Sequence, residues 1–319
     1  MERVEKKGKK MNLPLGAIIA VKQCMKIKKG ESVLIITDEK MNVLLPRYIE
    51  EACKKQKAKT TVLQIKPLER NGQEPEKGIA KMMKEFEVEF LITSKSLSHT
   101  KARRQACKAG ARIASMPGIT EFSFVEGGLT ADYNLVKRLC VKMFNKIKNA
   151  NKFEIKSANG TELTMEIGDY VIDIDEGLYH KPGNFGNLPA GEVCTSPNDL
   201  SVNGIAVIDK MGRFGENIVL EIENSFVKNI QGEKLKKEVD EIGKKARIIA
   251  EVGIGTNPKA KIIGNVLEDE KVFGTMHIAL GNNVSFGGKN KVQFHQDGII
   301  TKPTLIVDGK TIIKDGVWV

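Results

Sequence analysis

Histidine is scarce in this 319-residue chain: four residues, beside 51 lysines and arginines. Aromatic platforms are scarce too, with one tryptophan and four tyrosines. A net charge of +11 invites a nucleic-acid reading. With so few rings to stack bases on, and basic residues spread along the chain among glutamates, the expectation is no nucleic-acid partner. Apolar runs are short, and none approaches the eighteen or more residues that a membrane span requires, so no membrane partner is expected either. No CxxC pair occurs among Cys24, Cys53, Cys107, Cys140 and Cys194. Free thiols in a reducing cytoplasm are the expectation. No GxGxxG or Walker segment follows the first strand-like stretch, which removes the usual nucleotide fingerprints.

What remains is an ordinary globular composition, 41% apolar and 29% charged, long enough for about two domains. The first 150 residues alternate between strand and helix patterns. ESVLIITD (31–38), KTTVLQI (59–65), EFLITSK (89–95) and ARIASMPG (111–118) read as strands, with helical spacing at 42–57, 74–86 and 98–110. That order predicts an N-terminal α/β domain with a parallel sheet. A helix over 129–150 joins it to a second, β-rich α+β domain at 151–319. There, Asn159-Gly160 and Asp308-Gly309 mark hairpin turns. One long helix is expected at 232–253, with Glu251 at its end.

Two of the four histidines lie near the C-terminus. His295 and Asp297 are two apart, so a strand would point both the same way. His277 precedes them by eighteen residues, with Gly281, Gly287 and Gly288 between. Two histidines and a carboxylate suit zinc or non-haem iron. Glu192 sits in NLPAGEVCTSP and Glu251 among Ile248, Ile249, Ala250 and Val252. A carboxylate in an apolar stretch is costly unless paired or metal-bound. The five together suit two divalent ions bridged by a carboxylate and a water. Against this stands the plain alternative that each is a surface or satisfied core residue. The same alternative favours a loop role for His180, a helix-start role for His99, a packed thiol for Cys194 and solvated side chains for Arg103 and Arg104.

NLPAGEVCTSP, IIAEVGIGTNP, MHIALGNN and FHQDGIITKPTLIVDGKTIIKDG resemble signature segments of the thermophilic aminopeptidase family, which includes aminopeptidase T and leucyl aminopeptidase. IKKGESVLIITDE, SLSHTKARRQACKAGARIASMPG and SANGTELTMEIG extend the likeness over nearly the whole chain. The resemblance implies a homodimeric two-metal exopeptidase acting on peptides, with Glu192, Glu251, His277, His295 and Asp297 as ligands to zinc, cobalt or manganese. Glu192 and Glu251 would also serve catalysis, Glu251 as the bridging ligand. One departure is clear. The family places a tyrosine seven residues after the first of these histidines; Val284 stands at that count, and no tyrosine follows His277 at all. Ser285, Asn282 or Asn283 would have to replace its donor. The same superfamily includes ring-cleaving dihydroxypyridine dioxygenases, similar in fold, which hold one iron through two histidines and an aspartate. Here that set would be His277, His295 and Asp297. A catalytically altered relative is the third reading.

Overall fold

The computed structural model describes residues 12–319. Helix α1 (Leu15–Ile19) continues as a wider π-helical turn through Cys24. Then strands and helices alternate: β1 (Ser32–Asp38), α2 (Leu44–Lys55), β2 (Lys59–Ile65), α3 (Lys77–Met82), β3 (Val88–Ile92), α4 (Lys101–Lys108) and β4 (Arg112–Ser115). Short α5 (Glu121–Val125) and the fifteen-residue α6 (Tyr133–Ile147) follow. Asp132 caps α6 by accepting from the Asn134 amide.

All pairings among β1 to β4 are parallel. Both faces of this sheet are apolar, as buried parallel strands require. Val33, Ile35, Val88 and Phe90 enter the main core, while Leu34, Ile36, Leu91 and Ile113 pack with Ala102 and Ala106 of α4.

The rest of the chain supplies β5 (Lys152–Lys156), β6 (Glu162–Glu166), β7 (Asp173–Asp175), β8 (Phe185–Asn187), β9 (Glu192–Thr195), β10 (Asn203–Ile208), β11 (Ile218–Glu223) and β12 (Phe226–Gln231). After helix α7 (Glu233–Ile242) come β13 (Ile249–Gly255), the short α8 (Val266–Asp269), β14 (Met276–Gly281), β15 (His295–Ile300), β16 (Thr304–Val307), β17 (Lys310–Lys314) and β18 (Val317–Trp318). Strand β8 completes the parallel sheet, in the order β2-β1-β3-β4-β8. The others form an eight-stranded sheet, β12-β11-β10-β6-β5-β16-β17-β18, and a five-stranded one, β15-β14-β13-β9-β7. Every pairing in these two is antiparallel. The mixed α/β class expected from the sequence is therefore what the chain adopts.

One expected element is not there. The helix predicted over 232–253 stops at Ile242, where Gly243 takes φ +102° and leaves the helical region. Ile248, Ile249, Val252 and Ile254 then favour an extended chain, and Glu251 lies inside β13 rather than at a helix end. Both expected hairpins form. At the second, Asp308 (φ +47°) and Gly309 (φ +81°) adopt the left-handed pair a tight hairpin turn needs.

Candidate metal centre

The five-stranded antiparallel sheet carries all five candidate ligands. Its register sets them on one face. Glu192 is opposite Gly255, His277 opposite Gly253, Asp297 and Glu251 both opposite Ala279, and His295 opposite Gly281. Directly paired residues of an antiparallel sheet project to the same side, and positions two apart along a strand do likewise. The other face, with Val193, Val252, Ile254, Ile278 and Leu280, belongs to the main core.

Glycine makes the convergence possible at its tightest point. A β-carbon added at Gly253 would lie 2.0 Å from His277 Nε2, so the imidazole lies directly across this residue. Only a residue without a side chain admits such an approach.

The charged groups form a continuous array. His277 Nε2 is 3.3 Å from one oxygen of Glu192 and 3.5 Å from one of Glu251. The other Glu251 oxygen is 3.1 Å from His295 Nε2, which is 3.5 Å from Asp297. Two donor groups overlap here: Glu251, His295 and Asp297, and Glu192, Cys194 and Glu251, each with ligand atoms within 4.8 Å of one another. The thiol of Cys194 thus faces the centre, although burial and the neighbouring carboxylates push its pKa well above the ordinary value.

Electrostatics mark the place as built for a cation. His277 is fully buried, and neither ring nitrogen has a hydrogen-bond partner; one oxygen of Glu192 is orphaned likewise. Unsatisfied buried atoms of this kind are rare unless an ion or water meets them. Burial works against a charged His277, yet Glu251 and Glu192 raise it to about 9. For His295, Asp297 and Glu251 likewise outweigh burial and hold the pKa well above the ordinary value. Burial pushes Glu251 up, but its two histidine partners win and hold it well below the usual carboxylate range. A divalent cation would replace those imidazole protons, and this donor set of imidazole and carboxylate fits one. His295 Nδ1 lies 2.9 Å from the Asn282 carbonyl. A carbonyl only accepts, so Nδ1 carries the proton and Nε2 is free to ligate.

Three participants escaped the sequence reading. Lys271 is fully buried, and its ammonium contacts Glu192 and, at 2.6 Å, Glu270. Glu270 is the second; burial raises it to about 8 despite that lysine. The third is His99, named above only for a helix start. It lies between β3 and α4, beyond the C-terminal ends of the parallel strands, the usual ligand side of such sheets. The residue is partly open to solvent, yet desolvation by surrounding protein and the charges of His295 and Arg103 lower its pKa to about 4. His99 is thus close enough to feel the charges of His295 and Glu251, and Thr100 caps α4 instead.

Other expectations fare differently. His180 is exposed and bonded to the Gln23 carbonyl. Arg103 is not simply solvated: its guanidinium stacks 3.8 Å from the Phe185 ring centre and donates to the Ser98 carbonyl. Arg104 is exposed and donates to the His99 carbonyl. Val284 and Ser285 are exposed on a short turn. The amides of Asn282 and Asn283 are committed to the loop, donating to the Val292 carbonyl and to Ser196. All five cysteines are free, as expected. Among the described residues no helix is long and apolar enough to cross a membrane.

A parallel α/β sheet joined to an antiparallel sheet that gathers imidazoles and carboxylates on one face marks an enzyme of the superfamily that holds both aminopeptidases and ring-cleaving dioxygenases. Within it, the chain belongs to the 2,5-dihydroxypyridine 5,6-dioxygenase family (NicX), whose profile matches residues 17–319. The 2,5-dihydroxypyridine 5,6-dioxygenase of Pseudomonas putida is 23% identical over 249 residues, 72% of this chain and 70% of that protein. The solved dioxygenase structure from that organism superposes with a TM-score of 0.79 at 20% identity, covering 96% of both chains. Aminopeptidase AmpS of Bacillus subtilis is 26% identical over 195 residues, about half of each protein. AmpT of Thermus thermophilus has a TM-score of 0.68 at 18% identity, covering 95% of this chain and 98% of that one. The aminopeptidase resemblance thus holds for the fold, while family membership lies with the dioxygenases.

Proposed function

We propose that this protein is a mononuclear non-haem iron dioxygenase that opens a dihydroxylated pyridine ring. The observation that carries the reading is the convergence of His277, His295 and Asp297 from two adjacent strands onto one face, in a chain of the dioxygenase family. Two histidines and one carboxylate leave coordination positions open, as oxygen-using iron sites require. The absent tyrosine, with Asn282 and Asn283 committed elsewhere, leaves a peptidase without an evident donor for its oxyanion.

Iron(II) at this place would supply the redox chemistry that lets dioxygen react with an aromatic ring. The protein does the rest. Asn282 fixes the His295 tautomer, and Glu251 stands between the two imidazoles and orients both. His99, kept neutral at pH 7 by burial and by the charges of His295 and Arg103, offers ring nitrogens that can hydrogen-bond a substrate hydroxyl. Both oxygen atoms enter the product as the ring bond breaks, so no external reductant is needed.

The test is oxygen uptake. Protein loaded anaerobically with iron(II) and given 2,5-dihydroxypyridine in air should consume one O2 per ring lost. A His99→Ala variant should keep its ion and turn over up to about tenfold more slowly, the loss of one hydrogen bond to substrate. Hydrolysis of leucyl p-nitroanilide by the zinc, cobalt or manganese form, with no oxygen uptake by the iron form, would return the reading to the aminopeptidase.

A further inference from the structure

The two donor groups of the centre share Glu251, and that is how a pair of ions bridged by one carboxylate would be held. Only one of the two groups lies open to a second ion. Glu192, which anchors the other, already holds the Lys271 ammonium on one oxygen; its other oxygen, without a hydrogen-bond partner, lies 3.3 Å from His277 Nε2. Lys271 is fully buried, and its side chain reaches this carboxylate from the segment just after α8. It also holds Glu270 at 2.6 Å. With no surface open to solvent, the ammonium is held by these two carboxylates, and Asp175 adds a third negative charge nearby.

We propose that the Lys271 ammonium is the built-in second cation of this centre, so that the protein takes one divalent ion per chain where its donor set would otherwise hold two. The inference rests on the one-ion reading given above and names the residue that enforces it. A second divalent ion at Glu192 would have to sit against a fixed positive charge in a dry environment, where like charges repel strongly. The same contact explains how a chain can keep all five ligands of a two-metal site and still belong to a family of oxygenases: Glu192 is retained as the partner of a lysine. Lys271 touches no reacting atom in this account. It is a positioning residue that sets how many ions bind.

Metal counting decides the matter without any substrate. Full-length protein is saturated with manganese(II), freed of excess by gel filtration, and its ions per chain are measured by mass spectrometry. The wild type is expected to hold one. Lys271→Met keeps an unbranched side chain one atom shorter and removes the charge; its count should rise to two. Glu192→Gln in the wild-type background should stay at one, and His295→Ala should fall to zero. Two ions in the wild type, or one in a Lys271→Met protein with a native circular dichroism spectrum, would overturn the proposal. If Lys271→Met does not fold, the wild-type and Glu192→Gln counts decide: loss of the ion in Glu192→Gln makes Glu192 a ligand of the first ion and refutes the assignment. The count is independent of oxygen uptake, so a protein that binds one ion and opens no ring rejects the dioxygenase reading alone.

Discussion

Glu89 and Glu251 occupy matching places: each is buried on the third strand of a five-stranded sheet. Their fates are opposite. Glu89, on β3 of the parallel sheet, has no partner for either oxygen, and burial raises its pKa to about 9. Glu251, on β13 of the antiparallel sheet, meets two imidazoles that outweigh its burial and keep it charged. Burial alone therefore does not make a site. An isolated carboxyl takes up a proton; a carboxylate among complementary charges stays ionised and becomes available to a metal.

That contrast can be broken from its functional end first. His295→Ala removes a donor from the centre, and iron affinity should fall at least about 100-fold, the upper range for losing even a supporting contact. Titration followed by calorimetry reads it, and unchanged affinity would show that the ion lies elsewhere. Gly253→Ala puts a methyl where the His277 ring lies. Overpacking should cost about 1–3 kcal/mol, seen as a lower melting temperature, and should also displace the ring and weaken the ion. A melting curve like that of the wild type would mean the imidazole does not rest there.

The isolated carboxyl sharpens the other side. The folded pKa of Glu89 lies above its unfolded value, so the folded state binds more protons between about pH 4.5 and 9 and loses stability as pH rises through that window. Glu89→Leu removes this dependence. Denaturant melts should show a gain of about 1–3 kcal/mol at pH 7, growing toward pH 9 and smallest near pH 4.5; a constant difference across pH would refute a protonated Glu89. The smallest effect is expected from Val284→Tyr. Val284 is exposed on its turn, so restoring the aminopeptidase tyrosine there should change leucyl p-nitroanilide hydrolysis by less than about threefold, well under the 1.4 kcal/mol of a tenfold effect.

Strands β1 to β4 of the parallel sheet were legible because their apolar runs are short and bounded by helical spacing; β8, three residues long and drawn from the expected second domain, was not. The five candidate residues stood out because glycine and proline punctuate their segments; that one sheet face carries them all came only with the strand register. The helix over 232–253 misled because Lys, Glu and Ile at helical spacing run past Gly243 without a break in composition, while the glycine's left-handed conformation ends the helix. Lys271 had no signal at all: in a chain with 51 basic residues, nothing sets one lysine apart before its burial is seen. His99 failed for a related reason. Its neighbour Thr100 gives a complete local account of the helix start, and the influence of His295, almost two hundred residues on, has no local signal.

Strand β8 belongs to the parallel sheet, and β9 begins with Glu192 after only Leu188, Pro189, Ala190 and Gly191. At about 3.5 Å per residue, this tether is too short to let the two layers drift apart at that point. Glu192 is therefore anchored twice, through its own strand to β13 and through four residues of chain to the edge of the parallel sheet, so a change at that edge would be felt first at this carboxylate.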